Sequence, residues 1–349
     1  MSPFSAWTPG PGPLYTLITS AWETLGVPKV PIQYKTWVPG SSPLSTQKEV
    51  VAAIGTYLLV IFGGRELMKK RQPFKLTGPF RFHNVYLTLG SGLLLALMLE
   101  EMQVTFISHP VPMFLKHGFF WSICNPTAFT PRLITYYMIN YYIKYVELID
   151  TVFLVLKKKP LAFLHVFHHA ATAILCFTQL EGETSVQWVV ITLNLLVHVI
   201  MYYYYYATAG GAKIWWKKYL TSMQITQFII DLFIVYFAST FLFSYRFGHN
   251  QYPNLPFPVS PSTYNHFATT YTPFPTVGDC AGSEGAALFG CGLLTSYLFL
   301  FIAFYRATYK KGAAAKKAAA NGKADVRGSS KSKVIVQNKR GTTVVTEVQ

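Results

Sequence analysis

Polar positions are sparse along most of this chain, and the apolar runs between them are long. Stretches of about 20 residues, the length a helix needs to cross a bilayer, fall at roughly 49–68, 83–105, 134–156, 162–180, 186–207, 220–243 and 286–308. The pattern predicts an all-α, polytopic membrane protein with seven transmembrane helices. It divides the chain into an N-terminal segment 1–45, a membrane domain 46–309 and a tail 310–349. The first segment is rich in Pro, Gly, Ser and Trp and has no basic region leading into a short apolar core, so it does not read as a cleaved signal peptide. The tail, with Lys pairs set in Ala, Gly and Ser, reads as a disordered polybasic segment.

Composition agrees: 51% of residues are hydrophobic and only 13% are charged, about half the charged share of a soluble domain. That excludes an ordinary cytosolic globule and a coiled coil. The net charge of +16 suggests nucleic acid until its placement is considered. Arg65 to Arg81, Lys157–Lys159, Lys213 to Lys218 and Arg306 onward hold 23 of the 30 Lys and Arg, and the alternate loops hold six. By the positive-inside rule the first group is cytosolic, so the N-terminus is expected to be lumenal and the C-terminus cytosolic. No nucleic-acid partner is implied. Cys124 and Cys280 both fall in lumenal segments, where one bridge and two free thiols fit the sequence equally.

The chemistry is expected where polar residues interrupt the spans, because ionisable groups at membrane depth usually face a cavity or a site. Span three holds Lys144, Glu147 and Asp150 within one helical arc; Glu147 can pair with Lys144, leaving Asp150 to orient a neighbour. Span four opens with His165, His168 and His169. Span five places Asn194 one turn before His198, where it can fix the imidazole tautomer, followed by Met201 and tyrosines 202–206. Only one or two of those rings, Tyr202 among them, are credited with function. Span six carries Thr221, Gln224, Gln227 and Asp231, an inward stripe that is either interhelical glue or a site wall. His83, His109, His117, His249 and His266 stand singly in loops or at span ends.

Two chemistries could use this set. Histidines grouped as H-x-x-H-H occur in membrane di-iron enzymes, but about eight ligands are needed there and only four histidines converge here. Metal ligation is therefore not expected. The other chemistry is covalent acyl transfer: a neutral buried imidazole is nucleophilic, and a second histidine with an Asn partner can move protons or stabilise an enolate. A seven-helix receptor or transporter is the rival outside enzymes.

The runs KYVELIDTVFLVLKKK, FLHVFHH, NLLVHVIMYYYYY and TSMQITQF resemble, in order, the ELO family of very-long-chain fatty acid elongases, membrane 3-ketoacyl-CoA synthases, and within it the fungal members. The resemblance implies six helices in a barrel around an acyl tunnel, with a seventh outside. It implies condensation of a long-chain acyl-CoA with malonyl-CoA in the endoplasmic reticulum membrane, for very-long-chain fatty acid and sphingolipid synthesis. No cofactor is implied. The ketoacyl-CoA reductase, hydroxyacyl-CoA dehydratase and enoyl-CoA reductase of the cycle are implied as partners, and a homodimer is compatible. His168 would carry the acyl group as an acyl-imidazole, and His198 would serve the malonyl half-reaction. His165, His169, Lys144, Glu147, Asp150 and Asn194 complete the catalytic set. Tyr202, Gln224, Gln227, Lys217, Lys218 and Lys310 are the candidate substrate contacts, the lysines for the CoA phosphates together with Lys157–Lys159 and Arg306. Pro160, where members acting on polyunsaturated chains often have Gln, points to saturated or monounsaturated substrates.

Overall fold

A computed structural model describes residues 10–103, 122–125, 130–251, 280–311, 334–337 and 343–346. Its helices are α1 Pro13–Thr24, α2 Gln47–Met68, α3 Thr77–Met102, α4 Pro131–Glu147, α5 Ile149–Leu156, α6 Phe163–Glu181, α7 Gln187–Ala209, α8 Lys217–Gln251 and α9 Glu284–Tyr305. One compact unit runs through Leu300 and a second begins at Phe301. The second unit contains a two-stranded antiparallel ribbon, β1 Val334–Gln337 against β2 Thr343–Thr346, within the tail that the sequence reads as disordered. Most of the long connections 106–133 and 244–285, with His109, His117 and His266, lies outside the described residues.

Among the described residues, six helices are long and apolar enough to cross a membrane by length and composition: α2, α3, α6, α7, α8 as far as Phe243, and α9 continued to Tyr309. The third apolar run differs from a single continuous helix. It is two shorter helices, α4 and α5, meeting at Leu148, where Leu148 N–H bonds to the Tyr145 carbonyl and Thr151 N–H to the Leu148 carbonyl. These i→i+3 bonds tighten the backbone between Glu147 and Asp150, a local 3₁₀ step of the kind that often marks functional positions.

The helices are inverted relative to a soluble bundle. Leu59, Leu89, Phe233 and Phe299 are exposed, whereas Lys144, Glu147, Asn140 and Asp231 are buried. Lipid accepts the outward apolar surface, so packing depends on shape and on internal hydrogen bonds. On α3 the buried positions Leu87, Ser91, Leu94, Met98 and Glu101 recur at alternating steps of four and three, and this stripe lies against α7 in the most extensive helix pairing. On α2 the stripe is Val50, Ile54, Tyr57 and Ile61. A capping box starts α2: Thr46 accepts from Glu49 N–H, and the Glu49 carboxylate accepts from Thr46 N–H. The apolar run alone places that start two residues late.

The N-terminal segment is part of the packed unit. Tyr141 and Tyr142 donate to the carbonyls of Leu44 and Pro43, Thr135 donates to Lys35, and Trp37 meets Tyr141 and Phe177 edge-on. Residues 35–44 are thereby fastened across α4 and α6. Cys124 and Cys280 form a disulfide, which resolves the two alternatives left by the sequence. Around it Ser185 Oγ donates to the Ile123 carbonyl and Trp188 Nε1 to the Ser122 carbonyl. Gly182, the C-cap of α6, allows a close approach: a Cβ there would stand 2.5 Å from Ala286 Cβ.

Candidate active site

Lys144 and Glu147 at the end of α4 and Asn194 and His198 on α7 close a ring of contacts. Lys144 Nζ donates to Glu147 Oε1 at 3.0 Å and to Asn194 Oδ1 at 2.9 Å. Asn194 Nδ2 is 3.3 Å from His198 Nε2, and His198 Nδ1 is 3.1 Å from the same Glu147 oxygen. One arrangement of protons satisfies all four contacts. The lysine can only donate, so Asn194 presents its oxygen to it and its amide N–H to His198. His198 must then accept at Nε2 and donate from Nδ1 to the carboxylate. An imidazolium would set two donors against each other. The four-residue spacing thus brings Asn194 and His198 into contact, and Glu147 adds a second anchor.

Asp150 begins a second cluster. Tyr202 donates to its Oδ2 at 3.0 Å, and His83 Nε2 lies 3.0 Å from its Oδ1, at ion-pair distance without hydrogen-bond alignment. Beside it Tyr57 and Thr151 share a hydroxyl contact at 2.9 Å. Asp150 thus has partners on α3 and α7, and the tyrosine run contributes a single buried ring here, Tyr202, while Tyr203 and Tyr205 face outward. Sequence reasoning set His83 aside as isolated. The signal that could have found it is register: His83 and Asn84 open the inward stripe of α3.

The α6 histidines are held by rings. His165 and His169 have centroids 4.4 Å apart, and His168 and His169 5.8 Å apart. His168 packs 4.7 Å from Tyr297 and 6.5 Å from Phe228. Tyr297 also donates to the His168 backbone carbonyl at 3.2 Å and pairs with Thr172. His165 Nε2 is buried with no hydrogen-bond partner. His168 is within electrostatic reach of His198, Lys144 and Glu147, and His165 of Asp150. Tyr297 was invisible to sequence reading, since a tyrosine in an apolar run reads as lipid-facing. Among the described residues, no group of three or more His, Cys, Asp and Glu side chains has metal-binding geometry.

The remaining candidates are not brought to these clusters equally. Thr221, Gln227 and Asp231 are buried, as expected of an inward stripe. Gln227 donates to Asp231 at 3.0 Å within α8, and Gln224 to Met201 Sδ at 3.5 Å. Lys217 and Lys218 are exposed at the start of α8. Two cations of the Lys157–Lys159 loop already have intramolecular partners. Lys158 donates to the carbonyls of Lys69 and Arg71 beyond α2, and Lys157 lies 3.7 Å over the Phe80 ring. Partial burial, with Lys159 alongside, lowers the Lys157 pKa. Arg306 and Lys310 belong to the second unit.

A set of membrane-length helices enclosing histidines, a buried lysine–glutamate pair and an orienting asparagine defines a multi-pass membrane protein with an internal polar site. The chain belongs to the ELO family, described as the GNS1/SUR4 family, whose sequence profile matches residues 42–317. It is 48% identical to putative fatty acid elongase 1 of Schizosaccharomyces pombe over 291 residues, 83% of this chain and 78% of that protein. Identity to putative fatty acid elongase 2 of the same organism is 41% over 299 residues, covering 85% and 73% of the two chains. Fatty acid elongase A of Dictyostelium discoideum is 34% identical over 268 residues, covering 77% and 85%.

Proposed function

We propose that this protein is the condensing enzyme of fatty acid elongation, a very-long-chain 3-oxoacyl-CoA synthase joining a long-chain acyl-CoA to malonyl-CoA. The observation that carries the reading is the buried Lys144–Glu147–His198–Asn194 ring within electrostatic reach of His168. It joins a fixed neutral imidazole and a buried cation to a separate, ring-packed histidine group. In the first half-reaction a ring nitrogen of His168 attacks the thioester carbonyl, the C–S bond breaks, and CoA leaves with the imidazole proton. In the second, malonyl-CoA loses CO2 and its enolate attacks the acyl-imidazole. The C–N bond breaks and the leaving His168 ring takes up a proton from solvent, the one proton that the overall condensation consumes. His198 orients the malonyl thioester, and the Lys144 cation offsets the developing enolate charge.

His165, His169 and Asp150 shape the acylation side, and Gln224 and Gln227 form part of the acyl wall. Lys217 and Lys218 attract the CoA phosphates. The chemistry needs no metal or cofactor. The acyl chain would lie in a tunnel among six helices, with α4 and α5 together acting as one of seven spans. Residues 35–44 would sit at its lumenal end. The Cys124–Cys280 disulfide supports a lumenal place for those segments, because such bonds persist in oxidising compartments, and the reading places the enzyme in the endoplasmic reticulum with its C-terminus cytosolic. The product would pass to a reductase, a dehydratase and a second reductase, and the end products would enter sphingolipids.

The test is incubation of pure protein with malonyl-CoA and a ladder of saturated acyl-CoAs. The expected product is the 3-ketoacyl-CoA two carbons longer, with one CO2 and one CoA released per turnover. Hydrolysis without a new C–C bond would overturn the reading. A tag after residue 320 should be cleaved by protease in intact microsomes and a tag before residue 10 protected; the reverse would invert the topology.

A further inference from the structure

Arg81 is the one cation on α3 beyond Thr77, and it has no place in the site described above. Its guanidinium lies 4.6 Å over the Tyr206 ring. Its Nε is buried without a hydrogen-bond partner, and among the described residues no carboxylate pairs with it. A Cβ on Gly210 would stand 3.2 Å from Arg81 Cζ and 3.4 Å from a terminal nitrogen, so the glycine leaves the guanidinium its room. Such a cation is expensive to hold at a membrane boundary without an anion.

Its position follows from register. On α7 and its C-cap, Asn194, His198, Tyr202, Tyr206 and Gly210 recur every four residues, a stripe leading from the buried ring to the helix end. Tyr202 and His83 hold Asp150. One turn outward, about 6 Å along α7, Tyr206 carries Arg81, which precedes His83 by two residues on α3. The loop after α7 continues to Lys213, Lys217 and Lys218, the side read as cytosolic. Arg81 therefore stands at the outer end of the polar stripe whose inner end is the His198 ring. The neighbouring Lys157 and Lys158 are already engaged by the Phe80 ring and by the Lys69 and Arg71 carbonyls just beyond α2.

We propose that Arg81, seated on Tyr206 and given room by Gly210, binds a phosphate of the CoA moiety shared by both substrates. This rests on the condensing-enzyme reading. A guanidinium presents paired N–H groups to phosphate oxygens, and the aromatic face keeps it extended before the ligand arrives. The same chemistry would accept a lipid phosphate, so the test separates the two sources.

The experiment compares wild type with Arg81→Gln and Gly210→Ala in nanodiscs, using acyl-CoA and the matching acyl-pantetheine, which lacks every phosphate. Binding of adenosine 3′,5′-bisphosphate is measured directly and without turnover. For Arg81→Gln, the ratio of kcat/KM for the CoA thioester to that for the pantetheine thioester should fall about tenfold or more, the loss expected of a charge-assisted bond. The change should lie in KM, and nucleotide affinity should fall in parallel. Arg81→Lys should recover part of the ratio, and Gly210→Ala should lower it by displacing the guanidinium. A wild-type ratio in Arg81→Gln overturns the proposal. So does a defect that follows the anionic-lipid content of the disc instead of the thioester carrier, which would assign Arg81 to a headgroup. If wild type binds the nucleotide through Arg81 yet makes no ketoacyl product, the condensing-enzyme reading fails while the phosphate site stands.

Discussion

Two groups of histidines share this bundle and are held in opposite ways. His198 is fixed at both ring nitrogens, by Asn194 and by Glu147. The α6 group is held by packing: His165 on His169, His168 on Tyr297 and Phe228, with the Tyr297 hydroxyl on the backbone of His168. A ring nitrogen already engaged at both ends is oriented but poorly placed to form a covalent bond. The α6 rings are oriented chiefly by the faces of Tyr297, Phe228 and one another. The proposed mechanism uses this contrast, giving the covalent step to α6 and the orienting step to α7.

The sharpest way to break this division is kinetic. His168→Ala should abolish the burst of CoA released from acyl-CoA alone and lower turnover about a thousandfold or more, as expected when a nucleophile is removed. His198→Ala should retain the burst and lose condensation by roughly 10²–10⁴-fold. A burst surviving in the first and missing in the second would exchange the roles. Mass spectrometry should find the acyl mass on the peptide carrying His165 to His169.

The two groups should also differ in fragility. Glu147→Gln leaves Lys144 buried without its carboxylate and should cost about 3–5 kcal/mol. Tyr297→Phe removes one hydroxyl from the α6 side and should cost about 1 kcal/mol. Thermal unfolding in one detergent compares them, and equal losses would erase the distinction. Alkylation without reductant should label two of the four cysteines, Cys176 and Cys291, with Cys124 and Cys280 appearing only after reduction. Four labelled thiols would remove the disulfide. The smallest effect is Lys158→Ala, below about 1 kcal/mol, since its two carbonyl contacts are exposed; a large loss would mean that the end of α2 depends on them.

Much of this site was legible in the sequence because helical spacing carries it. Lys144 and Glu147 three apart, and Asn194 and His198 four apart, can meet on any α-helix, and both contacts form. What joins the two pairs could not be read, since Lys144–Asn194 and Glu147–His198 link residues about fifty positions apart. The α8 stripe points inward as its spacing implies, yet Gln227 and Asp231 bond to each other, a choice made by packing. His83 and Tyr297 were missed for the same reason: one is a single histidine near a span end, the other a single tyrosine in an apolar run.

Sequence alone determined that the chain lives in lipid, where its apolar runs lie and which four spans hold the polar clusters, because hydrophobic length and helical periodicity are local properties. The tertiary structure decided the rest. It broke the third run at Leu148, paired Asp150 with α3 and α7, bonded Cys124 to Cys280 and closed the ring around His198. The Asp150 contacts, the disulfide and the His198 ring all join positions distant in sequence, and a buried polar atom that is costly to leave unpaired makes such an approach specific.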